Sequence, residues 1–271
     1  MLNMKKYVAP ETLQDAWSLY STNPNNVILG GCAFLRLGKK KIATGIDLCN
    51  LGLDYIKDHE DYVEVGAMTK ISAFATHKHI TQNFKNILPD CVENIVGVSF
   101  RNTATIGGSV FGRYGFSDIV TALLALNAEI ELYKGGHMTL SRYLKAPPKF
   151  DILTAIRIPK DKDGRYHYAS MRHSSGDFPM LTTAVCRTDQ GYTLSVGARP
   201  LRAQKAKKAM AYLNDILKTA EQVGENHLQM ASELVCEELS FGSNMRAKEA
   251  YRKHLCKVLI LRGLKEVSNG H

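Results

Sequence analysis

Arg101-Asn102-Thr103-Ala104-Thr105-Ile106-Gly107-Gly108-Ser109-Val110-Phe111-Gly112-Arg113-Tyr114-Gly115-Phe116-Ser117-Asp118 is the least ordinary stretch of this chain, with four glycines, several hydroxyls and no proline. A glycine pair also closes the upstream run Asn25-Asn26-Val27-Ile28-Leu29-Gly30-Gly31, a short apolar strand that leads straight into a turn. A diphosphate needs several backbone N–H groups at close range, and a side chain beyond Cα blocks that approach. Paired glycines remove the block. Flanking hydroxyls at Thr105, Ser109 and Ser117 can donate to phosphate or ribose oxygens, and Asp118 can accept from a ribose hydroxyl. Either glycine pair alone reads as a tight turn; the two together, with the hydroxyls and Asp118, point to a nucleotide. The common nucleotide motifs are absent. Gly107-Gly108 and Gly112 do not have G-x-G-x-x-G spacing, and Gly38-Lys39-Lys40 lacks the glycine a P-loop places five positions earlier.

Working outward, residues 8–20 read as a helix with Thr12 and Asp15 as an approximate capping box and Leu13, Ala16, Trp17 and Tyr20 on one face. Tyr62 to Ala67 alternates with period two, as a strand does, and a helix opened by Thr69 is expected from Lys70 to His79. Ile119 to Leu126 reads as a buried helix, Ala128 to Tyr133 as a strand and Asp151 to Ile158 as another. The polar turn Pro159-Lys160-Asp161-Lys162-Asp163-Gly164 is the candidate domain boundary. Beyond it lie strand patterns at Tyr166 to Met171, Leu181 to Thr188 and Tyr192 to Ala198. Helices follow from Gln204 to Lys218 and from Met245 to Leu264, the last with Ala247, Tyr251, Leu255, Val258 and Leu259 as its apolar stripe and its basic residues mostly on the wet face. Strands followed by helices make the C-terminal third an α+β layer pair.

The 271 residues, 45% of them hydrophobic, are enough for one large domain or two modest ones and exclude intrinsic disorder. The start of the chain has no apolar run of leader length behind Lys5 and Lys6, and the most apolar stretch, Ile119 to Leu126, is too short to span a bilayer. A cytoplasmic protein without a membrane span is expected. Six scattered cysteines include no C-x-x-C, so neither a zinc site nor an iron–sulfur cluster has its usual spacing, and free, mostly buried thiols are expected. His77 and His79 form the one close histidine pair and have no third ligand nearby, so no metal site is expected. Lys and Arg number 35 against 26 Asp and Glu, a surplus of +9 that makes nucleic acid, anionic cofactors and acidic proteins candidate ligands.

With these motifs in place, the chain resembles, over essentially its whole length, the FAD-binding medium subunit of the molybdenum hydroxylases, the xanthine dehydrogenase and carbon monoxide dehydrogenase family. Leu29-Gly30-Gly31-Cys32-Ala33-Phe34-Leu35 is similar to that family's first flavin loop. Arg101 to Ser109, followed by Ser117-Asp118, is similar to the second. The strand Asp151 to Pro159 and the ending from Ala250 to Leu264 resemble its later parts. The resemblance implies an α+β fold, a two-subdomain FAD-binding unit of the vanillyl-alcohol-oxidase type over 1–160 (subdomains about 1–55 and 56–160), and a small C-terminal α+β domain over 165–268. It also implies roles. The backbone of Leu29, Gly30, Gly31, Cys32, Ala33 and Phe34 and of Gly107 and Gly108 would hold the pyrophosphate. Thr105 and Ser109 would bond phosphate or ribose oxygens, Asp118 would take the ribose hydroxyls, and Leu153 would lie against the isoalloxazine.

The chain departs from the family's pattern at several points. Cys32 and Ala33 stand where a polar residue is usual, Ser109 stands where Asn is frequent, and Arg113 to Phe116 replaces a small stretch containing proline. Tyr114 and Phe116 are weighed as flavin contacts or core aromatics, with the core favoured. Arg172 is the nearest basic residue to the place where the family puts a lysine, and the cysteine-rich insert of some relatives is absent. The implied function is electron transfer: electrons from a two-iron two-sulfur subunit fed by a molybdenum-cofactor subunit pass through FAD to an acceptor such as NAD, with no catalytic residue on this chain. Two alternatives stand beside it. A self-contained FAD oxidoreductase would need an acid or base, for which Tyr168, His173 and Asp177 are the candidates. A nucleic-acid-binding protein would use the basic clusters Arg36 to Lys41 and Arg199 to Lys208, but no nucleic-acid motif accompanies them, and binding to nucleic acid is not expected.

Overall fold

The computed structural model describes residues 3–147, 150–220 and 222–269; Met1 and Leu2, at the head of the stretch read above for a leader, lie outside them. The chain opens with a strand, Asn3–Val8, and the first helix, Leu13–Thr22, begins only after the extended N-cap Thr12. The Thr12 hydroxyl accepts the Asp15 N–H at 3.1 Å and donates to the Asp15 carboxylate at 2.6 Å, so the capping pair read from the sequence fixes the start of the helix. Asn3–Val8 pairs in parallel with Lys41–Asp47, which pairs in parallel with Val27–Leu29. The helix Leu13–Thr22 packs on this small sheet around Ala16, Ile46 and Leu48.

A second sheet is antiparallel throughout, in the order Ile56–Asp58, Tyr62–Gly66, Leu153–Pro159, Glu129–Leu132, Gly136–Thr139. Its period-two alternation buries Val63 and Val65 beside Ile156 and Ile158. Glu64 sits opposite Arg157 and is held by the Arg157 Nε at 2.9 Å and the Tyr55 hydroxyl at 3.0 Å, which is how a carboxylate survives there largely buried. Short helices cover the sheet. The helix expected over Lys70 to His79 is two, Ile71–Thr76 and Lys78–Phe84, because His77 is extended (φ −68°, ψ 133°) and its Nδ1 accepts the His79 N–H. Among the described residues, no group of three or more His, Cys, Asp or Glu is placed to hold a metal ion. Four of the six free cysteines, Cys91, Cys186, Cys236 and Cys256, are buried.

The third sheet has the order Gln204–Lys205, Gly191–Gly197, Leu181–Thr188, Arg165–Met171, all antiparallel. The turn Pro159 to Gly164 separates the last strand of the second sheet from the first strand of this one. Lys207–Leu217, Glu225–Glu238 and Glu249–Asn269 pack around a core that includes Leu194, Val196, Leu213, Val235 and Ile260. The final helix buries Leu255 and Leu259 of the stripe expected, but its buried face is rotated from the rest of that stripe, with Val258 only half-buried. Tyr251 is exposed, whereas Arg252 is inside with Leu255, Cys256, Leu259 and Ile260. The Arg252 guanidinium is tolerated there because the Met180 and Ala198 carbonyls and the Asn244 amide oxygen take its N–H groups.

One helix joins the second and third sheets. Asp118–Ala125 is buried at all eight positions, packed on the short helices on one side and on the strands Leu181–Thr188 and Gly191–Gly197 on the other. Its apolar sequence on every face is the signature of a fully enclosed helix. Its one mid-helix hydroxyl, Thr121, bonds Thr182 at 2.9 Å, and the Ser195 hydroxyl donates to the Thr121 carbonyl at 2.6 Å. No helix among the described residues is long and apolar enough to cross a membrane.

Candidate functional site

The strand Val27–Leu29 ends in Gly30-Gly31-Cys32, where Gly31 (φ 67°) and Cys32 (φ 55°) both take left-handed backbone. A Cβ on Gly31 would lie 3.0 Å from the Thr103 carbonyl carbon and 3.1 Å from Ala104 Cα, so the first loop is pressed against the second with no room for a side chain. The two loops are also bonded. Thr105 Oγ1 donates to the Gly30 carbonyl at 3.4 Å and accepts the Gly108 N–H at 3.0 Å as the N-cap of Ile106–Phe111.

The backbone donors of the two loops divide unevenly. The N–H groups of Ile106, Gly107 and Ser109 go to the carbonyls of Thr69, Ala67 and Thr105, and that of Gly108 goes to Thr105 Oγ1. Ser109 Oγ donates back to the Thr105 carbonyl at 3.2 Å. Among the described residues, by contrast, the N–H groups of Gly31, Cys32, Ala33 and Phe34 donate to no other group of the chain. Four successive free donors around left-handed backbone form a concavity suited to an anion. The second loop, whose Gly107 and Gly108 backbone the resemblance also placed at the pyrophosphate, supports the first from behind.

Both loops open onto a cleft of about 750 Å³. Of the residues singled out from the sequence, Gly30, Cys32, Ala33, Phe34, Thr105, Gly108, Ser109, Asp118 and Arg172 line it. Leu29 and Gly107 are buried outside the lining, and Gly31 is half-buried beside it. Leu153 is not brought there: it pairs with Leu132 in the second sheet and packs in that core. Tyr114 and Phe116 do line the cleft, contrary to the core placement favoured from the sequence. Their rings stack with centroids 5.2 Å apart and 11° between planes, and Phe34 lies 4.5 Å from Tyr114. Phe178, which the sequence reading missed, packs 4.4 Å from Phe116. Its only advance signal is the Gly176-Asp177-Phe178-Pro179 turn between two strand patterns. Arg36 and Lys40, from the first basic cluster, also line the cleft.

Asp118 lies at the base, 5% exposed, where its Oδ1 receives both the Tyr168 hydroxyl and the Arg172 Nη2. Arg172 is itself held by the Asp177 carbonyl at 2.6 Å and the Ser170 hydroxyl at 3.3 Å. Burial pushes the Asp118 carboxyl up to about 6, against the opposing pull of Arg172 and the Tyr168 hydrogen bond. Tyr168, one candidate for proton transfer, is thereby spent on Asp118, and its own burial drives its phenol well upward. Asp177 is held below the usual carboxylate range by its hydrogen bond with Arg246, Oδ1 to Nη2 3.0 Å. His173 Nε2 lies 2.8 Å from the Arg246 carbonyl. Burial raises the Cys32 thiol.

Because Thr105 caps one loop and ties down the other, Thr105→Val is expected to cost about 1 kcal/mol through the lost cap. Urea unfolding of the flavin-free chain measures that term; an unchanged midpoint would show that the cap contributes nothing.

A strand-to-glycine loop with free N–H donors, a buttressing second loop and an aromatic wall, set between two sheets and followed by an α+β module, define a dinucleotide-binding flavoprotein. Residues 2–161 match the family described as the FAD binding domain in molybdopterin dehydrogenase, and residues 166–267 match the CO dehydrogenase flavoprotein C-terminal domain. The chain belongs to this family, and FAD is its cofactor. It is 26% identical to the nicotine 6-hydroxylase medium subunit of Paenarthrobacter nicotinovorans, over 96% of either chain. It is 23% identical to the glyceraldehyde dehydrogenase medium chain of Sulfolobus acidocaldarius, over 97% of this chain and 98% of that one. The same fold occurs in carbon monoxide dehydrogenase from Hydrogenophaga pseudoflava (TM-score 0.88, 19% identity, 98% of both chains). Quinoline 2-oxidoreductase from Pseudomonas putida 86 shares it too (TM-score 0.85, 21% identity, 98% of this chain and 97% of that one). The residues present fit FAD: free N–H groups at 31–34 for a diphosphate, and half-buried rings at Phe34, Tyr114, Phe116 and Phe178 for planar groups.

Proposed function

We propose that the chain is the FAD-binding electron-transfer subunit of a multi-subunit molybdenum hydroxylase, taking electrons from a two-iron two-sulfur subunit and passing them on to an acceptor such as NAD. The observation that carries this reading is the chemistry of the cleft. Among the described residues lining it, the only carboxylates are Asp118 and Asp177, each in an ion pair with an arginine, and no histidine lines it. A self-contained oxidoreductase needs a group free to move a substrate proton. Here the acids are fixed as structure, and Tyr168 and His173 bond elsewhere.

Bound FAD supplies the redox chemistry. The chain's residues bind and orient. The N–H groups of Gly31 to Phe34 would hold the diphosphate, Thr105 and Gly108 keep that loop in place, and the aromatic residues exclude water from the planar groups. Asp118 stays with Arg172 and fixes the C-terminal module's turn over the cleft. The two-subdomain unit over 1–160 and the module over 165–268 are part of this proposal, as is a cytoplasmic setting, which the unpaired thiols support.

Titration of the flavin-free chain with FAD is expected to saturate at one flavin per chain. Substrate-reduced partner subunits should then bleach the bound flavin, while the isolated chain stays oxidised through a panel of small metabolites. Direct reduction of the isolated chain by one metabolite would overturn the electron-transfer reading in favour of a self-contained oxidoreductase.

A further inference from the structure

The second basic cluster, Arg199 to Lys208, takes no part in the FAD cleft. Residues 199 and 201–205 with Lys207 instead form one wall of a separate cavity of about 350 Å³. The opposite wall comes from the FAD-binding module: Leu124 of the enclosed helix, and Ser141, Leu144 and Lys145 of the helix Leu140–Lys145. Five cations line it, Lys145, Arg199, Arg202, Lys205 and Lys207, and no Asp or Glu does.

Arg199 is the decisive residue. It is 2% exposed, and its N–H groups reach only neutral acceptors: the Ser240 carbonyl, the Arg202 carbonyl at 2.9 Å and Gln204 Oε1 at 3.2 Å. Its Nε is buried without a partner. Neutral acceptors can satisfy a buried guanidinium's N–H groups, as they do at Arg252, but they leave its charge uncompensated; unlike Arg252, Arg199 lies in the wall of a cavity that four further cations line. Two neighbouring cations likewise bond only neutral acceptors. Arg202 Nη1 donates to the Leu144 carbonyl at 3.0 Å, and Lys205 Nζ donates to Asn127 Oδ1, both neutral. Glu238 reaches the same segment but is spent on the N–H groups of Lys208 (2.8 Å) and Ala209 (3.4 Å), at the start of the helix Lys207–Leu217. Burial also holds the Lys205 ammonium below its usual range, the mark of a cation lacking its counterion.

We propose that this cavity is a second anion site, separate from the FAD cleft, that takes a compact phosphate monoester. Several converging cations match a doubly charged tetrahedral group. The apolar side chains of Leu124, Leu144 and Leu201 leave room for a small organic body beyond the phosphate. Because one wall belongs to each module, an occupant bridges them.

The test uses the FAD-saturated chain, so that the flavin cleft is filled, and titrates it calorimetrically with inorganic phosphate and with glycerol 3-phosphate against chloride at equal ionic strength. Saturable one-site binding is expected, tighter for the ester, with a dissociation constant of about 1 mM or below and a rise in melting temperature. Lys145→Gln and Lys205→Gln should each weaken it about tenfold while flavin absorbance and the unliganded melting temperature stay unchanged. Absence of saturable binding, or binding indifferent to both substitutions, would overturn the proposal. So would binding of an acidic peptide with none of either phosphate probe, which would make the cavity a protein contact. Flavin content is read separately, so failure here leaves the FAD reading standing.

Discussion

Gly31→Val is expected to weaken FAD binding severely. Two effects coincide at this position: a left-handed φ of 67°, which a β-branched residue resists, and a Cβ that would press into the backbone of Thr103 and Ala104. Relief requires the first loop to move off the second. That movement breaks the Thr105 to Gly30 contact and scatters the free N–H groups of residues 31–34. With about 1–3 kcal/mol of backbone strain and a comparable overpacking cost, flavin affinity should fall by about 30-fold to about 10⁴-fold. Flavin absorbance after purification and fluorescence titration of the flavin-free chain are the readouts, with circular dichroism to confirm folding. Gly52→Ala is the control. Gly52 shares the left-handed φ (64°), but a Cβ there meets nothing within 4 Å, so the cost should be about 1 kcal/mol with FAD binding intact. Undiminished FAD binding by Gly31→Val would remove the first loop from the diphosphate site.

Arg172→Met should be among the most destabilising substitutions outside the loops, by about 3–5 kcal/mol at pH 7, because it strands a buried carboxylate. Asp118→Asn keeps the Tyr168 contact and removes the charge. The double variant Arg172→Met/Asp118→Asn should therefore recover most of the loss. The pH dependence carries a definite sign. The Asp118 carboxyl is raised from 3.8 to about 6 in the folded chain, so folding favours its protonated form. Its contribution to stability is fully present below about pH 4 and is lost as pH rises through 6, a change of about 3 kcal/mol. Without Arg172 the folded value climbs further, so Arg172→Met should be worse at pH 8 than at pH 5. Asp118→Asn should flatten this part of the profile. Urea unfolding at both pH values measures the difference, and an equal cost at pH 5 and pH 8 would refute the assignment of the charge to Asp118.

Much of the α+β fold was legible because its signals are local. The period-two strands, the all-apolar stretch from Ile119 and the Thr12–Asp15 cap each act within a few residues. The strands Asn3–Val8 and Lys41–Asp47 were not legible. Asn3–Val8 is an edge strand rich in lysine, and Lys41–Asp47 follows a basic run and is interrupted by Gly45, so neither shows clean alternation. In the site, the glycine pairs announced the loops, but nothing local indicated that the second loop's N–H groups are consumed by Ala67 and Thr69. The pairing of Asp118 with Arg172 and Tyr168 is a long-range event made by the third sheet, as is the arrival of Phe178. The inward turn of Arg252 was hidden for the same reason: its partners are carbonyls from distant strands.

The enclosed helix Asp118–Ala125 has a consequence for how the protein is made and how it moves. Its N-terminal residue is the floor of the flavin cleft, and its flank is the hydrogen-bonded seam with Thr182 and Ser195. A fragment ending near residue 160 would present that flank to water, so the first module is not expected to be a stable unit alone. It should be recovered, if at all, as aggregate or as a fragment that needs the remainder supplied in trans. The same seam ties the two halves together, so any opening between them would have to break the Thr121–Thr182 and Ser195–Thr121 hydrogen bonds.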